Sequence, residues 1–161
     1  MTSRSSGIVE SAAISDRYEI EAARIALKRT GSQAIRNTAQ TMIDDQQANS
    51  RKLKSAVAAS AKVDESDLPS PLDTRRSTMI DHLKEAPADK FDKTYVDQQT
   101  LAHEEAVSLL HNYRDDGDCP RLRGFARDAS PIIEDDLQRM KQLRSQIQDP
   151  RRAAARGAAL R

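Results

Sequence analysis

Tryptophan is absent from this sequence, and aromatic residues are scarce, with two Phe and three Tyr in 161 residues. A core must therefore be built from Ala, Ile, Leu, Val and Met, a mixture that favours helices over strands. The single cysteine, Cys119, excludes an intramolecular disulfide framework and a multi-cysteine zinc site. No apolar run approaches the roughly eighteen residues of a membrane span. The opening MTSRSSGIVESAAISD lacks the apolar stretch of a signal peptide. Neither charge dominates: 26 basic against 25 acidic residues leave a net +1, which provides no field to draw nucleic acid or anionic lipid. Strand signatures are missing too, since β-branched residues nowhere alternate between turn signals. A Gly-rich phosphate loop, a nucleophile elbow and a His-Glu-x-x-His motif are likewise absent. The expectation is a non-enzymatic helical protein, cytoplasmic as the sequence stands, or periplasmic or exported if a leader has been removed.

What the sequence does contain is helical periodicity. The most amphipathic stretch is FDKTYVDQQTLAHEEAVSLLHNY, where Phe91, Tyr95, Gln98, Ala102, Ala106, Leu109 and Tyr113 recur along one line, with His103 on its flank. Ahead of it, a helix is predicted from about Ala12 to Arg29, ended by Gly31 and followed by a Ser32 cap. The next runs from about Gln33 to Ala61, with Ile35, Ala39, Met42, Gln46, Leu53 and Val57 inward. Ser70-Pro71 reads as the cap and first turn of a short helix ending near Glu85, packed through Leu72, Met79, Ile80 and Leu83. Asp115-Asp116-Gly117 closes the amphipathic stretch, and Pro120 opens the last segment. There Pro131 either kinks one long helix or starts a new one under Ser130. Leu122, Phe125, Ala126, Ile132, Ile133, Leu137, Met140, Leu143 and Ile147 face inward. Residues 1–11 read as a disordered arm, 12–148 as an all-α antiparallel four-helix bundle with a short extra helix in its middle crossover, and 149–161 as an Arg/Ala-rich flexible tail.

Sites in bundles are made by polar residues that each helix turns inward. Glu21 lies on the line of Ile14, Tyr18 and Ile25, and Asp136 lies between Ile132, Ile133 and Met140, so both should be partly buried. Asp45 and His103 fall at the edges of their stripes. A buried carboxylate without a partner costs several kcal/mol or stays protonated.

The stretches EIEAARIAL (Glu19 to Leu27), TMIDD (Thr41 to Asp45), FDKTYVDQQTLAH (Phe91 to His103) and SPIIEDDLQRMKQL (Ser130 to Leu143) resemble the signatures of a bacterial ferritin-like family. That family is catalogued as domain of unknown function 4142, with many members described as exported or outer-membrane proteins. The resemblance covers about residues 12 to 145, in order and spacing, and the FDKTYV block is its most specific part. It implies a ferritin-like bundle with a helix-one glutamate, matched by Glu21 or Glu19, and a histidine matched by His103. The histidine positions of the second and last helices are Asp45 and Asp136 here. One imidazole with three carboxylates is a hard donor set, suited to Mn²⁺, Mg²⁺ or Fe²⁺ rather than Zn²⁺ or Cu²⁺.

The functional expectation is a stress-related or envelope-type accessory protein with an altered metal site. Its alternatives are an Fe- or Mn-binding redox or storage bundle using Glu21, Asp45, His103 and Asp136, and a partner-binding or self-associating module using the short helix after Pro71. Two loop features read as structural: Cys119 before Pro120, and Asp115-Asp116-Gly117-Asp118, which lacks the spacing and closing glutamate of a calcium loop.

Overall fold

The computed structural model describes residues 4–60 and 71–149 together with residues 151 and 158, and five helices are formed among residues 4–149. They are α1 (Arg4–Arg29), α2 (Gln33–Ala58), α3 (Thr74–Glu85), α4 (Phe91–Asp116) and α5 (Pro120–Gln148). No strand occurs among the described residues.

The contacts at the helix ends define the topology. Ser32 caps α2 through Ile35 N–H at 3.3 Å, so α2 turns back along α1. Ser60 Oγ at the end of α2 lies 3.2 Å from Cys119 Sγ, at the start of α5. Thr30, just after α1, donates to Asp92 Oδ1 at 2.7 Å, which brings the start of α4 to the end of α1. α1 and α5 therefore run one way and α2 and α4 the other, and the connection from α2 to α4 must return along the bundle. α3 lies in that connection and packs against α1 and α4. One long crossover of this kind is one of the standard ways to close a four-helix bundle.

α1 starts at Arg4, well before the expected Ala12, so residues 4 to 11 are helix rather than arm. Burial explains the difference. Ile8 and Val9 join Leu53, Val57, Leu122 and Phe125 in one apolar cluster, and Ser5 is fully buried. Ser5 donates to Asp118 Oδ1 at 2.6 Å, and Tyr113 donates to the same oxygen at 3.0 Å. The acidic turn, read from the sequence as structural, thus fastens the first turn of α1. Beside it, Gly117 approaches Tyr113 so closely that a Cβ there would lie 2.4 Å from the Tyr113 carbonyl oxygen. Its φ of −66° is ordinary, so glycine is required by space and not by a left-handed turn.

α3 begins later than expected. Asp73, whose carboxylate accepts from Arg76 N–H at 2.7 Å, is its N-cap, while Ser70 lies outside the described residues. Its far end is held by Arg29, which donates to the carbonyls of Leu83, Lys84 and Ala86 at 2.9, 3.0 and 2.6 Å. These are the unpaired acceptors of a helix C-terminus, where a cation is also favoured by the macrodipole. The same guanidinium sits 4.6 Å over the ring of Phe91, which in turn stacks on Tyr95 at 6.4 Å between centroids. The FDKTYV block is thus the joint at which α1, α3 and α4 meet.

α5 is one continuous helix through Pro131, which lies exposed, and Ser130 is not a cap. Its hydroxyl instead donates to the Ala126 carbonyl at 2.6 Å, inside the bundle. The core line expected for α2 is buried at every named position. On α5, Ile132 and Ile147 are only half-buried, and the other expected positions are inside. The expected tail from residue 149 lies outside the described residues apart from 149, 151 and 158.

Candidate functional site

The apolar interior is divided in two. One cluster, at the Phe91 end, contains Tyr18, Ala22, Met42, Phe91, Tyr95, Met140 and Leu143. The other, at the Tyr113 end, contains Ile8, Val9, Leu53, Leu110, Leu122 and Ile133. Between them the chain places polar side chains from all four long helices: Asp16 and Glu19 from α1, Gln46 and Asn49 from α2, Gln99 and His103 from α4, and Asp136 from α5. Glu19, Gln99, His103 and Asp136 are all 0% exposed.

Three of the helices deliver a pair by spacing, and α5 adds Asp136 alone. Asp16 and Glu19, or Gln46 and Asn49, are three apart and lie one above the other on a single face, and Gln99 and His103 do so at four. The His103 ring is fixed by its own helix, since Nδ1 lies 2.7 Å from the Gln99 carbonyl oxygen. A carbonyl only accepts, so Nδ1 carries the proton and Nε2 presents its lone pair. Nε2 faces Glu19 Oε2 at 3.7 Å. Asp136 approaches the guanidinium of Arg139 at 3.5 Å from Oδ1. Both oxygens of Glu19, both of Asp136 and His103 Nε2 have no hydrogen-bond partner, nor do Gln46 Nε2, Asn49 Oδ1, Tyr95 OH and the Gln99 amide.

Burial sets the charge state of this layer. It pushes Glu19 up to about 8, against smaller opposing effects of the Arg76 charge and the Ser15 hydroxyl. Asp136 is raised to about 7, chiefly by burial and then by the negative charges of Asp45 and Glu19, while His103 and Arg139 pull it down. Asp16 is also raised well above its usual range by burial and by Glu19, although Ser50 donates to it at 2.9 Å. His103 is lowered by burial, against its Gln99 hydrogen bond and Asp136. Burial thus favours the protonated form of the acids, Glu19 above all, and the neutral form of the imidazole, which is how a low-dielectric interior tolerates such groups.

The four predicted site residues are not equally central. His103 is fully inside rather than on a flank, because the buried face of α4 is turned toward Gln99 and Thr100 and away from Ala106 and Leu109. Asp136 is inside as expected. Asp45 is half-buried at the edge, close enough to influence Asp136. Glu21 lies apart, on the outward face it shares with Arg17 and Arg24, with its carboxylate 3.9 Å from Lys84 Nζ. The alternative, Glu19, is the carboxylate that α1 supplies. Among the described residues no three His, Cys, Asp or Glu side chains are already placed to hold a metal ion.

Sequence reasoning passed over Asp16, Asn49, Gln99 and Thr100. Their signal was polar residues recurring at three and four on faces that are otherwise apolar. The other two histidines are peripheral: His82 is exposed, and His111 is half-buried and paired with Glu134 across the α4–α5 seam.

Among known proteins, the bundle is similar to a DUF305 fragment from Deinococcus radiodurans, with a TM-score of 0.73, 13% identity, and coverage of 90% of this chain and 97% of that one. It is also similar to CopM in its Cu(I)-bound form, with a TM-score of 0.69, 20% identity, and coverage of 88% and 95%. CopM in its Cu(II)-bound form gives 0.71, 18%, and the same coverage of 88% and 95%. At these identities the likeness establishes the fold alone. No curated protein matches the sequence. Residues 1–143 match the family described as domain of unknown function (DUF4142), and the chain belongs to that family.

Proposed function

We propose that this protein is a non-enzymatic accessory bundle that holds a divalent cation in its central polar layer. Glu19, His103 and Asp136 are the ligands in this reading, with Asp45 a further carboxylate at the edge. The observation that carries it is the set of buried acceptor atoms on those three residues that make no hydrogen bond of normal geometry, although Arg139 stands 3.5 Å from Asp136 and the Ser15 hydroxyl is near Glu19. Native proteins pair nearly all such atoms, and a bound ion is one of the few things that satisfies several at once. Metal–ligand bonds of about 2.1 Å put neighbouring donors roughly 3.0 to 3.5 Å apart. The 3.7 Å between Glu19 Oε2 and His103 Nε2 is within a small side-chain adjustment of that. The Nδ1 contact to the Gln99 carbonyl is the outer contact a ligating imidazole normally has.

The donor set of one nitrogen and several oxygens favours Mn²⁺ or Fe²⁺. The likeness of the fold to CopM, described with copper bound, supports a metal role in general, but this layer has no thiolate to select copper. The cavity beside Glu19 measures about 20 Å³, room for one water-sized molecule and too little for an organic substrate at these residues.

Thermal melting with and without Mn²⁺ or Fe²⁺ tests the reading. Ligand at about a hundred times its dissociation constant contributes about 2.7 kcal/mol, which in a domain of this size raises Tm by about 5 to 10 °C. No shift with either ion, at neutral or mildly alkaline pH, would sink it.

A further inference from the structure

On one side the central layer lies close to a surface hollow. On the surface, Ser11, Ser15, Arg76, Glu105, Ala106 and Leu109 line a hollow of about 200 Å³ in the α1–α4 seam. Behind it is the 20 Å³ cavity, whose walls include Asp16, Glu19, Gln46 and Asn49. Ser15, Ala106 and Leu109 line both, so these side chains stand between the surface hollow and the cavity beside Glu19. The inner cavity is polar where it matters, since Glu19 Oε1 and Oε2, Gln46 Nε2 and Asn49 Oδ1 are buried without partners.

We propose that small cations and water reach the central layer through this seam, with Ser15, Ala106 and Leu109 as the partition and the inner cavity as the last stop before Glu19. The partition is made of small or half-buried side chains, the smallest of them Ala106 on α4. A helix carries its mouth. Arg75 of α3 donates twice to Glu105 of α4, at 2.7 and 2.9 Å, and Arg76 lies 3.9 Å from the same carboxylate. These contacts hold α3 beside the hollow, where Arg76 lies against Glu105 and its charge is felt by Glu19 behind the partition. Its charge is the barrier a cation meets, and Glu105 is the group that offsets it.

As a route for cations, the proposal rests on the cation-holding reading; as a route for water, it does not. The test uses the full chain with Ala106→Phe, which fills the partition, and Leu101→Phe on the exposed face as control. Two rates are measured: deuterium exchange at the His103 ring carbon by mass spectrometry, and Mn²⁺ association by rapid-mixing electron paramagnetic resonance. The expected result for A106F is that both rates fall at least tenfold while the Mn²⁺ dissociation constant stays within twofold, because a path alters rates and not the equilibrium. The control should match wild type. If A106F does not fold, Ala106→Leu carries the same expectation with a fall of about threefold. Unchanged His103 exchange in the plugged, folded variant overturns the route. Wild-type protein that binds no Mn²⁺ overturns the cation reading instead, and the exchange result still decides the path for water.

Discussion

Replacing Glu19 by Gln is expected to raise the melting temperature at pH 9 by about 10 °C, while leaving it within a few degrees of wild type at pH 5. A carboxyl raised by burial to about 8 binds its proton more tightly in the folded chain than in the unfolded one, where its value is about 4.5. Its contribution to stability is therefore fully present below pH 4.5, declines through the range above it, and is lost as the pH rises through about 8. At 1.4 kcal/mol per unit the loss is on the order of 5 kcal/mol, and a domain of this size moves roughly 2 to 4 °C per kcal/mol. Gln keeps the shape and removes the ionisation. Asp136, raised to about 7, adds a second decline in the same direction at somewhat lower pH. His103 works on the acid side: its folded value is lowered, so its contribution is present above its unfolded value near 6.5 and is lost as the pH falls. Wild type should accordingly be most stable in mildly acidic solution. Melts across pH 4 to 10 check both the slope and its disappearance in E19Q. A wild-type melting temperature flat from pH 6 to 9 would show that Glu19 is not held protonated.

Phe91→Ala should destabilise the protein by about 4 kcal/mol, near the upper part of the range for burying and then deleting an aromatic ring. Phe91 is 1% exposed, stacks on Tyr95 and lies under Arg29, whose guanidinium also holds the last carbonyls of α3. The loss is expected to exceed that of Phe91→Leu, which keeps most of the volume, by about 2 kcal/mol. Urea unfolding of the two variants measures the difference. Equal and small effects would mean that the joint between α1, α3 and α4 is not where the FDKTYV block acts.

The bundle was legible because its long helices carry their apolar residues at regular spacing. Ile35, Ala39, Met42, Gln46, Leu53 and Val57 on α2 could be placed inward from that spacing alone, and they are. The start of α1 was not legible, because a Ser-rich stretch with only Ile8 and Val9 looks like an arm until Leu53, Val57 and Leu122 are seen to cover it. Tertiary burial overrode a weak local preference. The site was half legible. Asp136 and His103 could be picked out as polar residues against apolar stripes, but on α1 the line of Ile14, Tyr18 and Ile25 points to Glu21, whereas the buried face also runs through Ala12, Asp16, Ala23 and Ala26, two residues back at Glu19. That shift separates Glu19, which is fully buried, from Glu21, which meets Lys84 at the surface. Gln46 was read as core, while Asn49 and Gln99 drew no attention, because an amide carries no charge to flag it. Their burial at the same level as Glu19 and His103 makes the layer a feature of the whole bundle cross-section and not of one helix.

A pH-stat titration with Mn²⁺ at pH 7, comparing wild type with H103A, measures the central claim most directly. A cation entering a layer whose acids hold protons must displace them. Wild type should bind one ion per chain and release about one to two protons, chiefly from Glu19 and Asp136, while H103A should bind at least tenfold more weakly. Binding without proton release, or binding that H103A leaves unchanged, would place the ion elsewhere on the protein and contradict the account.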